Sequence, residues 1–226
     1  METRAARFRA GLRIGVGPAA AVLPLGVTFG AFAVTTGWGP WAAVGASVLS
    51  YSGSAQFAVA TVLASGGGGL LALSAAGLMN ARMVPMGAAL APDLPGGRVR
   101  KAVQSLALMD ASWVGAHLGG GHFDRYRLFG ATAIQYPAWI VGTVLGVVLA
   151  PSPGIVETFG LDVIFPAFFL ILLIDELRGA GRRRAFLSAA GGAVISGVLL
   201  LVAPVGVALL GAGLAALVGL VGDDPR

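Results

Sequence analysis

Two short stretches concentrate polar chemistry where little is expected. SYSGSAQF, Ser50 to Phe57, places Ser50, Ser52, Ser54 and Gln56 at period two around Gly53, and MNAR, Met79 to Arg82, adds the amide of Asn80 and the fixed charge of Arg82. Hydroxyl, amide and guanidinium groups of this kind can hold a small zwitterion. Freed backbone N–H groups or Arg82 would meet a carboxylate, and carbonyls would meet an ammonium. Both stretches lie within apolar runs long enough to cross a bilayer. At that depth a charged side chain costs about 2.5–3.5 kcal/mol on insertion scales, so it faces protein or a water-filled cavity.

Period two spreads side chains around most of a regular helix, so the serines and Gln56 converge only if the chain unwinds near Gly53. The alternative is ordinary packing, with serines bonded to the preceding turn and Gln56 to a neighbouring helix. Asn80 and Arg82 lie roughly 200° apart on an α-helix and share a cavity only where that helix is irregular. Asp110 is a carboxylate well inside a hydrophobic segment. Either it titrates as a coupling group or it pairs with Arg82, and Arg82 either meets a substrate carboxylate or pairs with Asp110. His117 reads as a membrane-edge residue, and Asp162 as the N-cap of a helix.

Other chemistries find no support. With no cysteine and two histidines, neither a disulfide nor a transition-metal site is expected, and no cofactor is called for. Ser50, Ser52, Asp110 and His117 supply the letters of a hydrolase triad, but GxSxG is absent and nothing places them together. A Walker A sequence is missing as well. No enzyme is expected.

The elements that must position these residues are membrane helices. Hydrophobic residues make up 57% of the 226 and charged residues 11%, against about 25% charged in a soluble domain. The sequence predicts an all-α, polytopic integral membrane protein with about seven or eight membrane segments. The apolar runs are Ile14 to Thr36, Trp41 to Ala64, Leu70 to Ala91, Ala102 to Gly119, Leu128 to Ala150, the short Leu161 to Ile174, Phe186 to Ala203 and Val205 to Val221. The 36 glycines and 12 prolines suit helices that break or approach closely. Pro18 and Pro24 are expected to kink the first.

Residues 1–226 read as a single transporter domain behind a basic tail, 1–13. Gly26 with Gly30 and Gly142 with Gly146 form two GxxxG runs 116 residues apart. Each precedes a turn and an interrupted apolar segment, SYSGSAQF in one half and LDVIFPA in the other, so 14–91 and 128–203 are candidate repeat halves. If every segment spans, the basic loop at Arg98 lies outside and that at Arg125 inside. If segments two and six are re-entrant, the two loops exchange sides and the halves become inverted repeats. Both versions put the termini in the cytoplasm, and the charge bias does not separate them.

PLGVTFGAFAV (Pro24 to Val34), SYSGSAQF, MNARMVPMGAALAP (Met79 to Pro92), LMDAS around Asp110 and LDVIFPAFF (Leu161 to Phe169) resemble, in order and spacing, successive blocks of the AzlC family of branched-chain amino acid exporters. The chain departs from the family pattern at Met83, where a histidine is usual, and at Ala111, where a glutamate follows the aspartate. The resemblance implies a secondary exporter of leucine, isoleucine, valine and methionine in a bacterial inner membrane. It also implies a small four-helix AzlD-type partner. Carried over by position, the implied site comprises Gly53, Gln56, Asn80, Arg82, Asp110 and Asp162, beside Ser50 and Ser52. A channel for a small solute or ion, and a scaffold subunit of a membrane complex, are the competing readings.

Overall fold

The computed structural model describes residues 3–150 and 182–203, with positions 170, 174, 207, 208, 211 and 212. Asp162 and LDVIFPA lie outside the described residues. The chain divides into two compact units, one of Met1–Gly53 with Asn80–Pro153, the other of Ser54–Met79 with Gly154–Arg226. Apart from one two-stranded ribbon, the described elements are helices.

The first unit is organised on two long helices, α1 (Arg4–Thr35) and α8 (Arg125–Leu149), both long and apolar enough to cross a bilayer. Between them come α2 (Pro40–Leu49), the start of α3 (Gly53–Ala64), the end of α4 (Gly69–Asn80), α5 (Met83–Leu90), α6 (Arg98–Ser105), α7 (Asp110–Ala116) and the ribbon β1 (His117–Gly119) and β2 (His122–Phe123). Helix α1 begins at Arg4, where Thr3 caps it by accepting from the Ala6 N–H at 3.2 Å, so the N-terminal arginines belong to the helix. It continues through Pro18 and Pro24 as one helix. It ends where Gly37, at φ +93°, takes the left-handed conformation that closes a helix C-terminus.

Helices α1 and α8 meet through glycine. Gly11 faces Arg127, Gly15 faces Ala131 and Ile134, Gly26 faces Trp139 and Gly142, and Gly30 faces Thr143 and Val147. Residue numbers climb together along the seam, so the helices run parallel. The contacts are reciprocal. Gly26 lies against the Trp139 carbonyl and the Thr143 amide, and Gly142 against the Leu23 carbonyl and the Val27 amide. Gly30 and Gly146 repeat the pattern. A methyl group on Gly26 would sit 2.6 Å from the Trp139 carbonyl oxygen, so the backbones approach this closely only because both GxxxG runs lack side chains. An inverted relation between the halves would set these two helices antiparallel.

Several expected segments are broken. The run Trp41 to Ala64 is interrupted at Ser50–Ser52, and Leu70 to Ala91 at Ala81–Arg82. The expected fourth segment, Ala102 to Gly119, is corrected more strongly. It is two short helices, α6 and α7, separated by the turn at 106–109, and His117 opens a strand instead of continuing α7. Leu90, Leu94, Leu108, Ala116, Phe123 and Leu128 form a buried cluster that fixes these pieces against the start of α8.

In the second unit, α3 and α4 make a hairpin around Ala58, Val62, Ala72 and Ala75. Gly66, at φ +79°, and Gly67 end α3, their amides bonding to Leu63 and Val62 carbonyls at 3.1 and 2.8 Å. Helix α9 (Arg182–Leu200) packs Ile195 and Leu199 against Gly211, and Ser196 donates to the Ala208 carbonyl at 3.4 Å.

Candidate functional site

Three interruptions of the chain come together beside the middle of α8, and each has a local cause. Helix α2 ends at Leu49, and Ser50 is extended at φ −125°, ψ 94°. The Ser52 amide bonds to the Ser50 carbonyl at 2.9 Å, a tight turn centred on Tyr51. Helix α3 then restarts at Gly53, where a methyl group would fall 2.7 Å from the indole of Trp139. Glycine is required there because an aromatic ring occupies the place of a side chain.

At the second interruption Pro85 is the cause. Having no N–H, it cannot complete the helical bond to the Ala81 carbonyl. The Val84 amide takes that carbonyl instead at 3.2 Å, so α4 stops at Asn80 and α5 starts at Met83. The third is the turn before α7. Met109 is extended, its N–H donates to Ser112 Oγ at 3.1 Å, and Asp110 becomes the first residue of α7 instead of the middle of a span.

Side chains bridge the interruptions. Ser52 Oγ donates to Asn80 Oδ1 at 2.6 Å, tying the first to the second. Arg82 donates from Nε to Asp110 Oδ1 at 3.0 Å and from Nη2 to Asp110 Oδ2 at 2.9 Å, tying the second to the third in a two-pronged ion pair. Of the two uses open to Arg82 and Asp110, this structure holds the pair. Both side chains are partly open, at 42% and 59% exposure. Asn80 and Arg82 therefore serve one locality even though they would diverge on a regular helix.

The helix α8 supplies the wall. Tyr136 donates its hydroxyl to the Val48 carbonyl left over at the end of α2, and Tyr51 packs edge-on to Tyr136 with centroids 4.8 Å apart. Trp139 Nε1 donates to Ser47 Oγ at 3.1 Å, and Ser47 lies 2.8 Å from Thr143 Oγ1; all three side chains are buried. Phe29 of α1 stacks on Trp139 at 5.9 Å. Thr132 donates to the Ala107 carbonyl at 2.6 Å and holds the third interruption against α8. The hydroxyl of Tyr51 is buried without a hydrogen-bond partner among the described residues.

Of the residues singled out from the sequence, Ser52, Gly53, Asn80, Arg82 and Asp110 are brought together, with Ser50 as the exposed C-cap of α2. Gln56 is buried on α3 in the second unit. Met83, at the family's usual histidine position, packs against the apolar cluster around Leu90. Tyr51, Tyr136 and Trp139 were not anticipated. Their one sequence signal is position, since Trp139 stands three residues before Gly142 and Tyr51 inside the polar motif.

Two helices long and apolar enough to cross a bilayer, beside interrupted apolar helices whose ends are joined by polar side chains, are consistent with an α-helical membrane protein. The particular family follows from comparison. Residues 18–152 match the AzlC protein family. An uncharacterized membrane protein of Archaeoglobus fulgidus is 31% identical over 196 residues, covering 85% of this chain and 84% of that protein. No solved structure matches. The chain belongs to the AzlC family, and the matched region contains every residue of the cluster just described.

Proposed function

We propose that the chain is a secondary-active exporter of branched-chain amino acids, leucine, isoleucine and valine with methionine as a further substrate. It would act in the cytoplasmic membrane with a small AzlD-type subunit. The observation that carries this reading is the Arg82–Asp110 pair held between interrupted helices. Its two charges are the complement of a zwitterion. An amino acid entering here exchanges one internal ion pair for two external ones, its carboxylate on Arg82 and its ammonium on Asp110, with Ser50, Ser52, Asn80 and the backbone at Gly53 supplying further hydrogen bonds. The rings of Tyr51, Tyr136 and Trp139 provide an apolar wall for a branched side chain. Gln56 and Asp162 remain candidates by their position in the sequence motifs alone. A polar pair this open at membrane depth requires polar surroundings, which a substrate path provides and a purely structural subunit does not need.

The test is efflux of labelled leucine from preloaded proteoliposomes, with and without the small subunit. Saturation and counterflow are expected, together with at least about a tenfold loss for Asp110→Asn, the scale of a charge-assisted hydrogen bond. Gln56→Ala is expected to slow efflux less. Wild-type rates in both variants would remove the site assignment, and flux without saturation or counterflow would make the protein a channel.

A further inference from the structure

We infer that the basic residues at the starts of α1, α6 and α8 form one cationic surface seated on the anionic cytoplasmic leaflet, and that the apolar stretch between the starts of α6 and α8 enters and leaves the membrane at that face without crossing. The first ground is the parallel seam, which puts the N-terminus of α1 and the N-terminus of α8 at the same end. Arg7 Nη1 lies 3.4 Å from Asp124 Oδ2, and the guanidinium groups of Arg7 and Arg125 cover the Tyr126 ring at 4.8 and 4.7 Å. Asp124 also caps α8, accepting from the amides of Tyr126 and Arg127 at 2.8 and 3.3 Å.

The second ground is Asp93, in the loop after α5. Its Oδ2 accepts from the Phe123 amide at 2.7 Å, and its Oδ1 lies 3.4 Å from His122 Nδ1. The connection leading to Arg98, Arg100 and Lys101 at the start of α6 is thereby fastened to the ribbon leading to Arg125 and Arg127 at the start of α8. Both belong with the arginines of α1. The helices between them fit a short excursion. At 1.5 Å per residue α6 and α7 are about 12 and 10 Å long, against a hydrocarbon core of about 30 Å. The Ala107 carbonyl at their turn meets Thr132, seven residues into α8, or about 10 Å from its start. Asp110 therefore reaches the site on a hairpin that opens toward the basic end.

The opposite end contrasts with it. From Ile14 to Gly53 the first unit has no Asp, Glu, Lys or Arg, and Trp41, at the start of α2 beyond the end of α1, stands exposed at 86%, as a membrane-interface tryptophan would. Cationic loops are retained on the cytoplasmic side and attracted to its anionic lipids. This arrangement departs from both sequence-based topologies, which place the Arg98 and Arg125 loops on opposite sides.

Single-cysteine labelling decides it, because the natural chain has no cysteine. Arg9→Cys, Val99→Cys and Leu118→Cys report the basic end, and Trp41→Cys the other; each replaces an exposed residue. With a membrane-impermeant maleimide, the first three are expected to label in inverted vesicles and Trp41→Cys in right-side-out vesicles. Labelling of Val99→Cys or Leu118→Cys from the face opposite to Arg9→Cys overturns the hairpin, as does the absence of labelling of either one from any face. Labelling of all three from outside overturns the orientation. The readout needs no transport, so it stands or falls apart from the proposed substrate.

Discussion

The seam between α1 and α8 and the cluster of chain interruptions lie side by side in one unit, yet they are held by opposite means. The seam is backbone on backbone. Glycines at 26, 30, 142 and 146 let carbonyls and amides of one helix rest on the other, with no side chain able to adjust. The interruptions are joined through side chains, Ser52 to Asn80 and Arg82 to Asp110, whose bonds can be traded for equivalent bonds to a ligand. A packed backbone contact has one geometry, whereas a polar pair has partners to exchange. The seam is thus suited to stay fixed, and the cluster to respond.

Substitution can break this contrast, and the largest effect is expected in the seam. Gly142→Leu puts a side chain into the Leu23 carbonyl and should abolish folded protein, read as the monodisperse fraction in detergent. Gly17→Leu, at a position of the same α1 helix with open space around it, should fold normally. Equal recovery of both variants would show that the seam is no tighter than the rest of the helix surface.

A smaller effect on folding, but a severe one on transport, is expected at the ion pair. Arg82→Gln should lower leucine efflux at least about tenfold while much of the protein still folds, because both charges are partly open. The exchange of Arg82→Asp with Asp110→Arg should restore folded yield and leave efflux low, since a reversed pair no longer matches the substrate's charges. Recovery of efflux in the exchanged protein would make the pair as structural as the seam.

The smallest effect is expected at Tyr51. Removing a buried hydroxyl without a partner among the described residues relieves a desolvation cost of about 1–3 kcal/mol, so Tyr51→Phe should raise the melting temperature of the substrate-free protein by a few degrees, roughly 2–4 °C per kcal/mol at this chain length. A lower melting temperature would show that the hydroxyl is already satisfied.

The sequence was most informative where it broke its own pattern. SYSG marked one of the three interruptions, because hydroxyls and glycine disturb a helix locally, whereas Pro85, whose missing N–H ends the next helix, was not read as a break in the run Leu70 to Ala91. Arg82 and Asp110 were legible as partners because isolated opposite charges in apolar segments have few other uses. The paired GxxxG runs were visible, but their parallel register was not, since spacing is the same read in either direction. The hairpin of α6 and α7 was missed for a related reason. Leu106 to Met109 is apolar throughout, so nothing in composition separates a turn there from the middle of a span. Tyr51, Tyr136 and Trp139 escaped notice because an aromatic in a membrane segment reads equally well as lipid-facing.

The reciprocity of the seam has one further consequence. Each of Gly26 and Gly142 touches the carbonyl three residues before, and the amide one residue after, the other. That is the contact pattern of a parallel homodimer with a two-fold axis along its length, in which one surface recognises its own copy. Here the two copies sit in a single polypeptide, so their encounter is independent of concentration. Residues off the axis are released from having to match, and Phe29 can stack on Trp139 although position 23, the counterpart of 139, is a leucine.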